Sequence, residues 1–179
     1  VHGPELFDRA RELGRSIAFE ASVAGGVPII TNISQCLSAN QILSLRGILN
    51  GTSNYILSRM TGEGLDFAPV LAEAQKLGYA EADPALDING WDAAHKAIIL
   101  ASLAYGFWID PKDVLVEGIE KVTAADIRFA EELGYRIKLI ASIKADESGA
   151  IEVRVVPTLI PKSHVLASVN GVFNAVAVK

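Results

Sequence analysis

The stretch "EADPALDINGWDAAHK" places Glu81, Asp83, Asp87, Asp92 and Lys96 within sixteen positions. If residues 91–105 are helical, Asp92 and Lys96 lie one turn apart on one face. The segment "WDAAHKAIILASLAY" is apolar on every side except at Asp92, His95, Lys96 and Ser102, which is the pattern of a buried helix. Replacing a buried ion pair with apolar residues is often neutral or favourable, so stability alone does not explain why such a pair is kept. Carboxylates beside a lysine can grip an ammonium group while the lysine stabilises a developing oxyanion or supplies a proton. The cluster therefore suits a small amino-acid-like substrate. Two other readings are an ordinary surface ion pair and a hard-cation site. The acidic spacing lacks the EF-hand pattern, and His2, His95 and His164 are scattered without HExxH, which disfavours a transition metal. His95 reads as a helix residue satisfied by a neighbour.

Glycines mark two more segments. "NGTSN" (50–54) stands between a strand and a helix, where it could receive an anionic group or simply cap the helix through Thr52 or Ser53. In "EASVAGGVP", Gly25 and Gly26 permit either close backbone approach or a tight turn. There is no GxGxxG, since "GEGLDF" lacks the third glycine, and no Walker sequence. The single cysteine, Cys36 in "SQCLSA", excludes an internal disulfide and reads as a small helix packer in a cytoplasmic protein.

These groups must be positioned by a chain of 179 residues, half of them apolar, which fits one domain over 1–179. The net charge of −5 without a basic run argues against nucleic acid, and no apolar run or leader argues for a membrane. The ends at Val1 and "NAVAVK" read as those of a piece of a longer protein. Helices are expected over Pro4–Leu13, Pro28–Ala39, "NGTSN" to Met60, Asp66–Leu77 with Asp66 as N-cap, Trp91–Tyr105, Thr123–Leu133 and His164–Val169. Strands are expected at "SIAFEASV", "QILSLRGIL", "DVLVEGIEKV", in two runs across Tyr135–Val156, and from Val172. Residues 81–90 read as a non-helical link. The result is an α+β fold: a mixed sheet with helices on one face, the other face left for a partner subunit.

In order along the chain, "FEASVAGGVPII", "RGILNGTSNYIL", "LGYAEADPALDINGWDAAHKAIILA" and "NGVFNAVAV" resemble the catalytic and dimerisation domain of homoserine dehydrogenase. The resemblance implies NAD- or NADP-dependent interconversion of L-aspartate 4-semialdehyde and L-homoserine, on the route to threonine, methionine and isoleucine, by a homodimer. It gives Glu81, Asp87, Asp92 and Lys96 to homoserine, with Lys96 facing the reacting oxygen and Glu81, Asp92 and Lys96 catalytic. Gly51, Thr52 and Tyr79 would complete the pocket. Glu20 with the carbonyls of Val23 and Gly25 resembles a monovalent-cation site. The family's dinucleotide-binding domain does not precede Val1, so this chain alone should turn over little or nothing. A non-catalytic amino-acid-binding or dimerisation module is the alternative. A third reading, a semialdehyde dehydrogenase, would need Cys36 as nucleophile.

Overall fold

A computed structural model describes residues 2–179. Its centre is a five-stranded sheet in the order β2-β4-β3-β1-β5. The long hairpin of β3 (Tyr135–Ala145) and β4 (Ile151–Pro161) forms the middle, turned by the polar "DESG" run. β1 (Ser44–Ile48) pairs antiparallel with both β3 and β5 (Ala175–Val178), while β2 (Leu115–Val116) pairs parallel with β4. The sheet is therefore mixed, as expected.

Cross-strand partners share a face, so two rows define the core side: Leu45, Ile143 and Val153, then Gly47, Ala141 and Val155. All six are buried. Against this side pack α6 (Trp91–Tyr105) and α7 (Ala124–Glu132), with α3 (Gly51–Glu63) also meeting β3. On the opposite side, Ile48, Ile140 and Ile160 form a smaller cluster with Leu166 and Ala167 of a 3-10 turn, Val165–Ser168. That turn covers one end of this face; toward the other end Arg46, Lys144, Glu152 and Arg154 are exposed.

The remaining helices are α1 (Gly3–Glu12), α2 (Ile29–Thr31), α4 (Phe67–Lys76) and α5 (Ala85–Ile88). Tyr55 and Arg59 on α3 both bond to Glu73 on α4, at 2.7 and 3.0 Å, tying the two together. α7 begins with a capping box between Thr123 and Asp126.

Several expectations are corrected. "SIAFEASV" pairs with no strand among the described residues and stays irregular, with left-handed backbone at Ala21 and, just beyond it, at Ala24. Pro28–Ala39 is not one α-helix: α2 passes into a π-helical turn, Asn32–Cys36, which leaves Cys36 exposed rather than packed. "DVLVEGIEKV" is a strand only at Leu115–Val116, because Gly118 turns the chain into contact with Ile88 and Asn89. The acidic link contains a helical turn, α5. Asp66 precedes α4 with extended backbone but no side-chain capping bond. In place of a helix over His164–Val169 there is the 3-10 turn Val165–Ser168, with His164 as its cap. α6 is buried along one stripe, Ala93, Ala94, Ala97, Leu100 and Ala101, and not on every side.

Candidate active site

Three elements converge where β1 leaves the sheet. β1 hands over through Leu49 to Asn50, whose extended backbone caps α3 and whose Oδ1 accepts from the Ser53 N–H at 2.7 Å. Thr52 and Ser53 are therefore not the cap. With its oxygen so engaged, the Asn50 amide nitrogen faces outward and donates to Asp87 Oδ1 at 2.6 Å and Asp92 Oδ2 at 2.7 Å. Every polar atom of this side chain is used, which fixes its orientation.

The acidic segment is held from both sides. Ser53 Oγ donates to the Asp87 carbonyl at 2.8 Å, and the Ile119 N–H donates to the Ile88 carbonyl at 2.8 Å. A Cβ at residue 118 would overlap the Ile88 carbonyl oxygen, so glycine is required there. Gly90 takes the left-handed backbone (φ 87°) that lets the short helix α5 turn into α6. Asp87 and Asp92 thus come from different helices and meet at one amide.

Lys96, one turn after Asp92, donates to Asp92 Oδ2 at 2.7 Å and to the Leu49 carbonyl at 3.1 Å. The ammonium has three donors, and these bonds use two. Among the described residues nothing accepts the third, and Asp87 Oδ2 and Asp92 Oδ1 likewise accept nothing. The side chains of Lys96 and Asp92 are 25% and 29% exposed, so the pair is reachable from solvent and partly shielded from it. The arrangement can offer one N–H to an anionic or developing-anion oxygen, and two carboxylate oxygens to an ammonium group.

The other expected residues are placed around this network with varying closeness. Thr52 Oγ1 donates to the Tyr79 carbonyl at 2.7 Å, joining α3 to the loop before the acids, while the Tyr79 ring packs against Tyr55. Gly51 opens α3 so tightly that an added Cβ would sit 2.8 Å from the Val172 carbonyl oxygen. Glu81 is exposed; among the described residues its side chain has no bonding partner, and only its main-chain oxygen is engaged, by Gln75. His95 is exposed beside Trp91. Glu20 is elsewhere: its carboxylate receives the Ile30 N–H, the Thr31 N–H and the Thr31 hydroxyl at 3.0–3.1 Å. Desolvation pushes the Glu20 carboxyl up, but those donors together hold it below its ordinary value. Val23 is buried and Gly25 exposed in the following bend.

Sequence reasoning passed over Asn50, although an asparagine opening "NGTSN" ahead of a helix is itself the cap signal. Larger hollows lie away from the network. One of about 690 Å³ is lined by Arg46, Lys144, Asp146 and His164 on the sheet's second side, and one of about 330 Å³ lies between Phe7, Phe19, Ile99 and Trp108. The charged groups of the first, among them Arg46, Lys144 and Glu147, are exposed and not bonded to one another, and the second is mostly apolar, so the hydrogen-bonded convergence of Asn50, Asp87, Asp92 and Lys96, not the volume, marks the site.

The fold is an α+β domain with a mixed sheet, and its site is a lysine and two aspartates joined through one asparagine where β1 meets α3. The homoserine dehydrogenase family model matches residues 28–179. A homoserine dehydrogenase of Pseudomonas aeruginosa is 56% identical over 99% of this chain and 41% of its own length. The crystal structure of a homoserine dehydrogenase from Thiobacillus denitrificans superposes with a TM-score of 0.96 at 52% identity, covering 99% of this chain and 41% of that one. A hyperthermophilic archaeal homoserine dehydrogenase in complex with NADPH superposes at 0.82 and 30% identity, covering 99% and 50%. The chain belongs to the homoserine dehydrogenase family, and it spans about 41% of the length of the first two of these relatives. Among the described residues, no helix is long and apolar enough to cross a membrane.

Proposed function

We propose that this chain is the substrate-holding domain, residues 1–179, of a homoserine dehydrogenase that interconverts L-aspartate 4-semialdehyde and L-homoserine with NAD or NADP. The observation that carries the reading is the Asn50–Asp87–Asp92–Lys96 network, with one lysine N–H and two carboxylate oxygens unspent. The free N–H of Lys96 binds the aldehyde oxygen and stabilises the negative charge that grows there as the carbonyl is reduced. Asp92 orients that ammonium. Asp87, with the free oxygen of Asp92, holds the substrate's ammonium end, so the reacting carbon is fixed relative to Lys96. Glu81, exposed at the mouth, serves as a contact to the substrate or to an ordered water, and Gly51, Thr52 and Tyr79 form the adjoining wall.

The sequence contains no phosphate-cradling glycine loop, so these residues do not themselves hold the dinucleotide. A nicotinamide cofactor supplies the hydride, and the NADPH of the archaeal relative supports that cofactor class. A monovalent cation at Glu20, Val23 and Gly25 belongs to the same reading; it would hold the bend that left-handed Ala24 makes between the two carbonyls. A cytoplasmic homodimer on the route to threonine, methionine and isoleucine completes the proposal, with the open end of the sheet's second face as the surface for the second subunit.

The test is NADH or NADPH oxidation by the full-length gene product with aspartate 4-semialdehyde, beside Lys96→Ala. Activity that vanishes in a folded variant supports the assignment. An inactive parent with both cofactors removes it.

A further inference from the structure

The molecule contains a second lysine with an unusual setting that the reaction above does not use. Lys138, midway along β3, is 2% exposed, and among the described residues its Nζ has no carboxylate partner. It donates instead to neutral oxygens: Val169 O at 2.6 Å, Asn54 Oδ1 at 3.0 Å, Asn170 Oδ1 at 3.2 Å and, at the limit, Ser58 Oγ at 3.4 Å. Two of these acceptors are on α3, and the other two begin the turn that leads into β5. Asn54 completes the grip, since its amide nitrogen donates to the carbonyls of Val169, Gly171 and Phe173 at 2.9–3.2 Å. Ser58 Oγ also accepts from the Gly171 N–H at 3.2 Å.

A buried ammonium costs heavily to desolvate, and a Leu at this strand position would pack without that cost. What the lysine adds is convergence: one group on β3 binds two other segments, α3 and the turn at 169–170. The turn it holds is also the one that closes on the candidate site, because the Val172 carbonyl lies directly against Gly51 at the start of α3. From Gly51 the connection is short. Asn50 is the preceding residue, and its amide fixes both Asp87 and Asp92.

We infer that Lys138 is a positioning residue for the dehydrogenase reaction: it clamps the 169–173 turn onto α3 and thereby sets where Asn50 holds the Asp87, Asp92 and Lys96 groups. The inference rests on the homoserine dehydrogenase reading. Burial lowers the Lys138 ammonium to about 8. That value lies above neutral pH, so at neutral pH it remains the charged clamp.

The experiment uses the full-length gene product and compares Lys138→Met, Ser58→Ala and Lys96→Met with the parent, measuring kcat and KM well below each melting temperature. Lys138→Met keeps the apolar stem and removes every donor. Misplacing the site should lower kcat by roughly tenfold to a hundredfold in the folded protein, with a smaller change in KM. Ser58→Ala, which removes the Gly171 contact, the longest lysine contact and the hydroxyl's own bond to the Asn54 carbonyl at 2.6 Å but leaves the other lysine contacts, should shift kcat the same way by less. Folded variants that lose melting temperature but keep the parent's kcat and KM would show a purely structural lysine and overturn the inference. If Lys138→Met does not fold, the same division of kcat against KM in Ser58→Ala decides it. An inactive parent removes the functional reading and this role with it, whereas an active parent whose activity depends on Lys96 but not on Lys138 or Ser58 overturns this inference alone.

Discussion

Lys96 and Lys138 are solved differently by the same fold. Lys96 is a quarter exposed, is paired with Asp92 and keeps one N–H unspent. Lys138 is sealed, has no acidic partner among the described residues and is surrounded by oxygens that leave it nothing to offer a ligand. The difference separates two uses of a cation. On the proposed function, Lys96 is held by its counter-charge and keeps a donor to spend on substrate, while Lys138 spends its donors on the protein.

The sharpest way to break this contrast is at Lys96. Lys96→Met should cost the full-length enzyme about 10²–10³-fold in kcat, as removal of a donor to a developing oxyanion does, while melting hardly changes. A variant with near-parental turnover would make Asp92–Lys96 an ordinary ion pair. At Lys138 the order reverses for stability: Lys138→Met should destabilise folding by about 1–3 kcal/mol, because Asn54 Oδ1 and the Val169 carbonyl lose their shared donor.

The same lysine sharpens the comparison through pH. Its folded value of about 8 lies below its ordinary 10.5. Between those values the unfolded chain binds more protons, so stability should rise with pH. From pH 8 to 9.5 the gain should be about 1–2 kcal/mol by chemical denaturation, and Lys138→Met should abolish it. An equal rise in both proteins would show that Lys138 does not titrate there.

Asn50→Ala should fall below these effects in stability, near 1 kcal/mol for a lost helix cap, with a reduced kcat because both aspartates lose their tether. The smallest effect should come from Glu73→Gln. The Tyr55 hydroxyl, then the Arg59 guanidinium, hold the Glu73 carboxyl below its usual range. Its stabilising share is present above the unfolded value and fades as pH falls through the folded one, so the variant should lose stability at neutral pH and show a flatter acid limb.

What the sequence made legible depended on how local each signal was. Asp92 and Lys96 four apart in a helix, the capped start of α7 and the hairpin around "DESG" are neighbour effects, and each is visible in a short window. Asn50 carried a cap signal, but its second task, bridging aspartates 37 and 42 positions away, belongs to the tertiary fold. Lys138 gave less still. A single lysine in "YRIKLIASI" looks like the polar face of a strand, and only the return of residues 169–173 across α3 shows that it is enclosed. The expected strand at "SIAFEASV" failed for the converse reason. Its residue types favour extension, but a strand also needs a free neighbouring edge, and pairing is not written in the segment itself.

The contact between Gly118 and the Ile88 carbonyl bears on how such a protein can diverge. The acidic loop is registered against the neighbouring segment by main chain, through the Ile119 N–H and a position too crowded for any side chain. The exposed side chain of Glu117 can therefore vary without carrying Asp87 away from Asn50, whereas Ile88 and Ile119 are packed in the core and Asn89 Oδ1 accepts the Trp91 N–H. Residue 118 is the position where the loop's main-chain register forbids any side chain at all.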